Sequence, residues 1–127
     1  MPYKIRRIII SDPIYDTQIL VQRYGSLLAC VKEYSKRIGC NVPDGIEENP
    51  RRRGFFLAKP TERSSMIWLS KDAQLGVISH ETFHATCHIL GCVGLTLTSE
   101  SEEAYTYYQQ FLVNSILTGL YGHKYEK

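Results

Sequence analysis

Apolar positions in this chain alternate between short runs and a helical rhythm, and the changes mark the elements. The stretch "YKIRRIII" (3–10) is β-branched and apolar and is stopped by Ser11-Asp12-Pro13, which predicts a strand. Over residues 16–38, Ile19, Leu20, Tyr24, Leu27, Leu28, Val31, Tyr34 and Ile38 recur at helical spacing, with Gly39 as a C-terminal stop. That pattern predicts one long amphipathic helix, weakened at Gly25. Residues 39–53 lack periodicity and carry turn-forming Asn, Pro, Asp and Gly, so they read as a loop. The runs "GFFLAK" (54–59) and "SMIWLS" (65–70), separated by "PTER", predict two short strands. Residues 71–94 predict a helix capped by Asp72 and closing at Gly91 and Gly94. Residues 96–120 predict another, with Ser99 and Glu102 as a capping box. The order strand, helix, two strands, helix, helix predicts an α+β fold. A small mixed or antiparallel sheet of about three strands packs against three helices, in a single domain spanning residues 1–127.

Composition narrows the function classes without choosing one. The chain of 127 residues is 43% hydrophobic and 22% charged, ordinary for a globular domain. A net charge of +2 gives no strong pull toward nucleic acid or an anionic membrane. No stretch approaches the roughly 20 apolar residues of a membrane span, and the N-terminus lacks the apolar core of a signal peptide. A cytoplasmic location is therefore expected. The cysteines Cys30, Cys40, Cys87 and Cys92 form no C-x-x-C pair and read as free thiols, a Cys30–Cys40 disulfide being the alternative. Arg51-Arg52-Arg53 is the one basic cluster; its simplest reading is a solvated loop, so nucleic acid is not an expected partner.

The chemistry concentrates in "VISHETFHATCHILG" (77–91). His80 and His84 stand four apart and so share one helix face, where both rings can point at a single ion. Glu81 lies beside that line. This is H-E-x-x-H, whose mechanics are two imidazole ligands for Zn²⁺ and a general base acting on a water. The bland alternative is a partly buried helix with polar residues at its edge. The surrounding Leu75, Val77, Ile78, Phe83, Ile89 and Leu90 favour an interior helix whose imidazoles need partners. His88 continues the line and reads as a boundary histidine; Cys87 and Cys92 read as packed thiols. A catalytic zinc site takes three protein ligands. The third is expected from the next helix: Glu103, with eighteen residues between it and His84, with Glu102 and Glu100 as competitors.

"HETFH" followed at this interval by "EEAYTYY" resembles the gluzincin branch of the zincin metallopeptidases, over residues 65–112. Small predicted metallopeptidases of phages and prophages are similar in size. The resemblance implies a minimal zincin-like core and a zinc-dependent peptidase acting on a peptide or protein substrate inside a cell, the host cell if the protein is phage-encoded. It implies His80, His84 and Glu103 as the metal ligands and Glu81 as general base to a metal-activated water. A tyrosine would steady the developing oxyanion, Tyr107 first, then Tyr108 and Tyr105; plain packing is the alternative for each. It also implies that the strand before the motif helix, Met66 to Ser70, is an edge strand along which an extended substrate lies, with Trp68 filling core. The competing function is an inactive metal-stabilised protein, or a metal-free interaction protein binding a host protein or nucleic acid. Oligomeric state is left open.

Overall fold

A computed structural model describes residues 3–60 and 62–122. Thr61, inside the expected turn "PTER", lies outside the described residues. The element order is β1 (Arg6–Asp12), β2 (Thr17–Arg23), α1 (Leu27–Ile38), β3 (Gly54–Ala58), β4 (Ser64–Leu69), α2 (Leu75–Cys92) and α3 (Glu102–Leu120). The α+β expectation holds, with four strands in a mixed sheet of order β1-β2-β4-β3 rather than about three. β1 and β2 are antiparallel, β2 and β4 parallel, and β3 and β4 antiparallel.

The extra strand comes out of the predicted helix 16–38. Its first half, "TQILVQR", is β2, and only Leu27–Ile38 is helical. Tyr24 (φ 69) and Gly25 (φ 72) are consecutive left-handed residues and no helix passes through them. Thr17, Ile19 and Val21 then favour the extended chain. The turn from β1 is tightened where the Asp12 carboxylate accepts from the Ile14 amide at 2.8 Å, and Asp16 (φ 51) completes it. After Gly25, Ser26 caps α1 by accepting from the Ala29 amide at 3.0 Å, and Gly39 (φ 70) closes that helix as expected.

Strand alternation sends side chains into two cores. Ile10, Ile19, Val21, Ile67 and Leu69 face α2 and α3, meeting Ile78, Ala85, Ile89, Leu112 and Ile116. Leu20, Met66 and Trp68 face α1, meeting Leu27, Cys30, Val31 and Tyr34. The sheet is therefore covered by one helix on one side and by two on the other. Trp68 fills core as expected, and its indole N–H donates to the Gly25 carbonyl at 3.1 Å. All four cysteines are free thiols, so the Cys30–Cys40 disulfide is not formed.

Two caps move. α2 starts at Leu75 behind Gln74, not at Asp72, because Asp72 sits in a turn whose amide bonds the Ser70 hydroxyl. α3 starts at Glu102 behind Ser101, not behind Ser99; the Ser101 hydroxyl is taken up by the preceding turn, donating to the Thr96 carbonyl at 2.5 Å. At the other end of α3, Arg6 and Arg23, paired across β1 and β2, both donate to the Leu120 carbonyl, at 3.3 and 2.9 Å. They complement the negative helix terminus and fix α3 to the sheet. No helix among the described residues is long and apolar enough to cross a membrane.

Gln22 is wholly buried and joins three pieces: its amide N–H donates to the Tyr24 and Ser26 carbonyls, and its oxygen accepts from Arg7 at 2.9 Å. Gln22→Leu keeps the volume but takes away the partner of the Tyr24 carbonyl and the anchor of Arg7, while the Ser26 carbonyl keeps the Cys30 amide. It is expected to cost roughly 1–3 kcal/mol, read as a lower denaturant midpoint at unchanged slope.

Candidate metal centre

His80, Glu81 and His84 converge. Their ligating atoms all lie within 4.8 Å of one another, so this group could hold a metal ion. The two imidazole Nε2 atoms are 3.1 Å apart, and the rings meet nearly edge to face with centroids 4.8 Å apart. Two nitrogens sharing a tetrahedral zinc at ordinary bond lengths would stand about 3.3 Å apart, so the pair fits that ion with little movement.

The three side chains occupy different environments. The helix face buried on the sheet is Ile78, Glu81, Thr82, Ala85, Thr86, Ile89 and Leu90. His80 and His84 are exposed, as are Leu75 and Phe83. The expectation of interior imidazoles that need a partner because they are buried is therefore corrected. α2 is apolar enough to pack, but the histidines lie one step around from its buried face. Glu81 is the buried member, 6% exposed. Burial raises its pKa above the ordinary carboxylate range, opposed by His80, His84 and Arg52. Among the described residues the one ion pair is Arg37–Glu33, so Glu81 is a buried carboxylate without a salt bridge. Such groups gather at functional sites.

β3 closes the site on one side. Phe56 lies beside His84 and His88, with ring centroids 6.1 and 5.9 Å away. Gly54 sits against α2 so tightly that a Cβ there would be 2.6 Å from Val77 Cγ1 and 2.9 Å from Glu81 Cγ. An open cleft of about 330 Å³ is lined by Arg51, Arg53, Gly54, Val77, His80 and Glu81. His88 is held apart: its Nε2 bonds the Glu62 carbonyl at 2.6 Å, tying α2 to the turn between β3 and β4, in keeping with a boundary histidine.

Other expected site residues are not brought to this group. α3 meets α2 through Gln109, whose amide donates to the Ser79 carbonyl at 2.9 Å. Ser79 and His80 differ by about 100° around the helix, so α3 lies on the flank of α2 away from the histidines. Tyr107 is about 200° around α3 from Gln109, and Glu103 is one turn before Tyr107 on the same outer side. Glu103 and Glu102 are exposed, and neither belongs to the converging group. Tyr107 is 66% exposed and lines a separate cleft with Asp12, Ile14, Tyr15 and Phe111. Tyr105 and Tyr108 are buried in the core between helices and sheet; the Tyr105 hydroxyl donates to the Leu95 carbonyl at 2.6 Å. The strand before α2 is β4, which is paired on both sides and offers no free edge. The edge strand beside the site is β3. Arg51-Arg52-Arg53 was expected as a solvated basic loop and Gly54 as the head of a strand; that both lie beside the motif helix was not expected, because the packing of β3 on α2 is a long-range contact.

No protein-family model matches this chain, and neither a curated protein nor a solved structure matches it. Its functional reading therefore stands on the residues and their geometry.

Gly54→Ala has to push β3 off α2. The expected cost is roughly 1–3 kcal/mol in denaturant unfolding, whereas Gly76, which has open space around it, accepts alanine freely. A second expectation concerns pH. A carboxylate whose folded pKa is raised holds its proton more tightly in the folded state, so its contribution to stability is full at low pH and falls as pH rises through the raised value. Metal-free Glu81→Gln should thus melt above wild type at about pH 8, and the difference should vanish toward about pH 4.

Proposed function

We propose that the protein is a small zinc-dependent peptidase in which His80 and His84 hold the metal and Glu81 handles protons. The observation that carries this reading is the approach of two imidazole nitrogens to 3.1 Å beside a buried, unpaired carboxylate on the wall of an open cleft. Zinc bound there would supply Lewis-acid polarisation of water and of a substrate carbonyl. Glu81 takes a proton from the water and returns it to the departing amine. β3, an edge strand with unpaired backbone groups, would align an extended peptide beside Glu81 through strand addition. Phe56 steadies the His84 ring from the same strand.

Glu103 has no part in this reading, and neither does Tyr107. The protein donors are the two imidazoles, with Glu81 near enough to serve as a third when no substrate is bound. This is a short donor set for zinc, and binding weaker than at a three-ligand site follows.

Titration with zinc should find one ion bound per chain, lost in His80→Ala and in His84→Ala and kept in Glu103→Ala. Glu81→Gln should keep zinc while peptide hydrolysis drops about 10²- to 10⁴-fold. Undiminished hydrolysis by that variant, or no bound zinc in wild type, would overturn the reading.

A further inference from the structure

The arginine loop ahead of β3 borders the same cleft as His80 and Glu81, and its charge outweighs the Glu81 carboxylate there. Arg51 and Arg53 line the cleft, and Arg52 is close enough to act on Glu81. None of the three forms an ion pair among the described residues. Guanidinium groups stay protonated at any ordinary pH, so the cleft carries this charge permanently.

The loop is also held in place. The Arg51 amide donates to the Asn49 side chain at 2.9 Å, the Arg52 amide to the Asn49 carbonyl at 2.9 Å, and the Ser70 amide to the Arg53 carbonyl at 2.9 Å. Arg52 is occupied, bonding the Glu47 carbonyl at 3.3 Å and lying over the Phe55 ring at 5.0 Å. Arg53 spends one N–H on the Pro50 carbonyl at 2.8 Å and keeps the rest of its fork. The bond that holds Arg51 comes from its backbone, and among the described residues its fork has no hydrogen-bond partner. A cation at the two imidazoles would add more positive charge to the same space. Among the described residues Glu81 is the one carboxylate lining the cleft and cannot balance both guanidinium groups and an ion, whereas an anionic substrate group seated on the arginines offsets the remainder.

We infer that Arg51 and Arg53 form a carboxylate-binding subsite of the cleft, so that the substrate is a peptide carrying a carboxylate next to the bond cleaved. The inference rests on the peptidase reading for the cleavage, while carboxylate binding is tested separately. Planar guanidinium forks match a carboxylate with paired hydrogen bonds and discriminate against its amide. The carboxylate has two sources, a free C-terminus or an acidic side chain.

The test uses the full chain loaded with zinc and carrying Glu81→Gln, with binding read by calorimetry. The probes are acetyl-alanyl-phenylalanine against its amide, and acetyl-alanyl-glutamate amide against the glutamine analogue. At least one acid should bind about 10- to 100-fold tighter than its neutral partner, and the pair that discriminates names the source. Arg51→Gln with Arg53→Gln should abolish the difference while zinc content stays at one per chain. Equal binding of acid and neutral probes overturns the subsite, as does discrimination that survives loss of both arginines. So does arginine-dependent binding of an oligothymidylate without carboxylate preference, which would make the loop a phosphate contact. Hydrolysis by the wild-type protein separates the two claims. Cleavage without acid preference retains the peptidase and removes the subsite; arginine-dependent acid binding without any cleavage retains the subsite and removes the peptidase.

Discussion

The distance between the start of β3 and the second turn of α2 governs what surrounds the histidine pair at the candidate centre. Gly54 allows the sheet edge to rest directly on Val77 and Glu81. That contact keeps water from most of the Glu81 carboxylate, and its burial is what lifts the pKa. The same contact brings Phe56 beside His84 and carries the arginine loop to the mouth of the cleft. A larger residue at position 54 would separate these features together, because they depend on one spacing between a strand and a helix.

The resulting site is divided by polarity. The imidazoles face solvent, where exchange of an ion or a substrate is easy, while the carboxylate between them sits at the edge of the core. A buried acid without a salt bridge works against the stability of the metal-free fold at neutral pH. Sites of this kind commonly trade stability for chemistry. The cost here is confined to one side chain, since the surrounding α2 face of Ile78, Ala85, Ile89 and Leu90 is conventionally packed.

What the sequence disclosed depended on range. H-E-x-x-H was legible because a helix fixes the relation of residues four apart, and no distant contact is needed to bring His80 and His84 together. α2 and α3 were legible from their periodicity, and β3 and β4 from their composition. The segment 16–38 was misread because Ile19, Leu20 and Tyr24 fit a helical period by accident, while the left-handed Tyr24 and Gly25 end β2, whose pairing between β1 and β4 is non-local. Strand order is non-local, so nothing in the run 65–70 announced that β4 is central and β3 the edge. The side of α3 that carries Glu103 was likewise fixed by a long-range contact, Gln109 with Ser79, and a residue's spacing along the chain does not report the rotation of its helix.

His80, Glu81 and His84 all come from little more than one turn of a single helix. A centre assembled from distant segments exists only once the chain has folded, and its ligand reports on the whole tertiary structure. This one would be present in any conformer in which that turn is wound, including partly unfolded ones. A divalent ion would then act first as a staple on nascent helix, and its affinity for denatured chains would blunt the gain in global stability it gives the native fold.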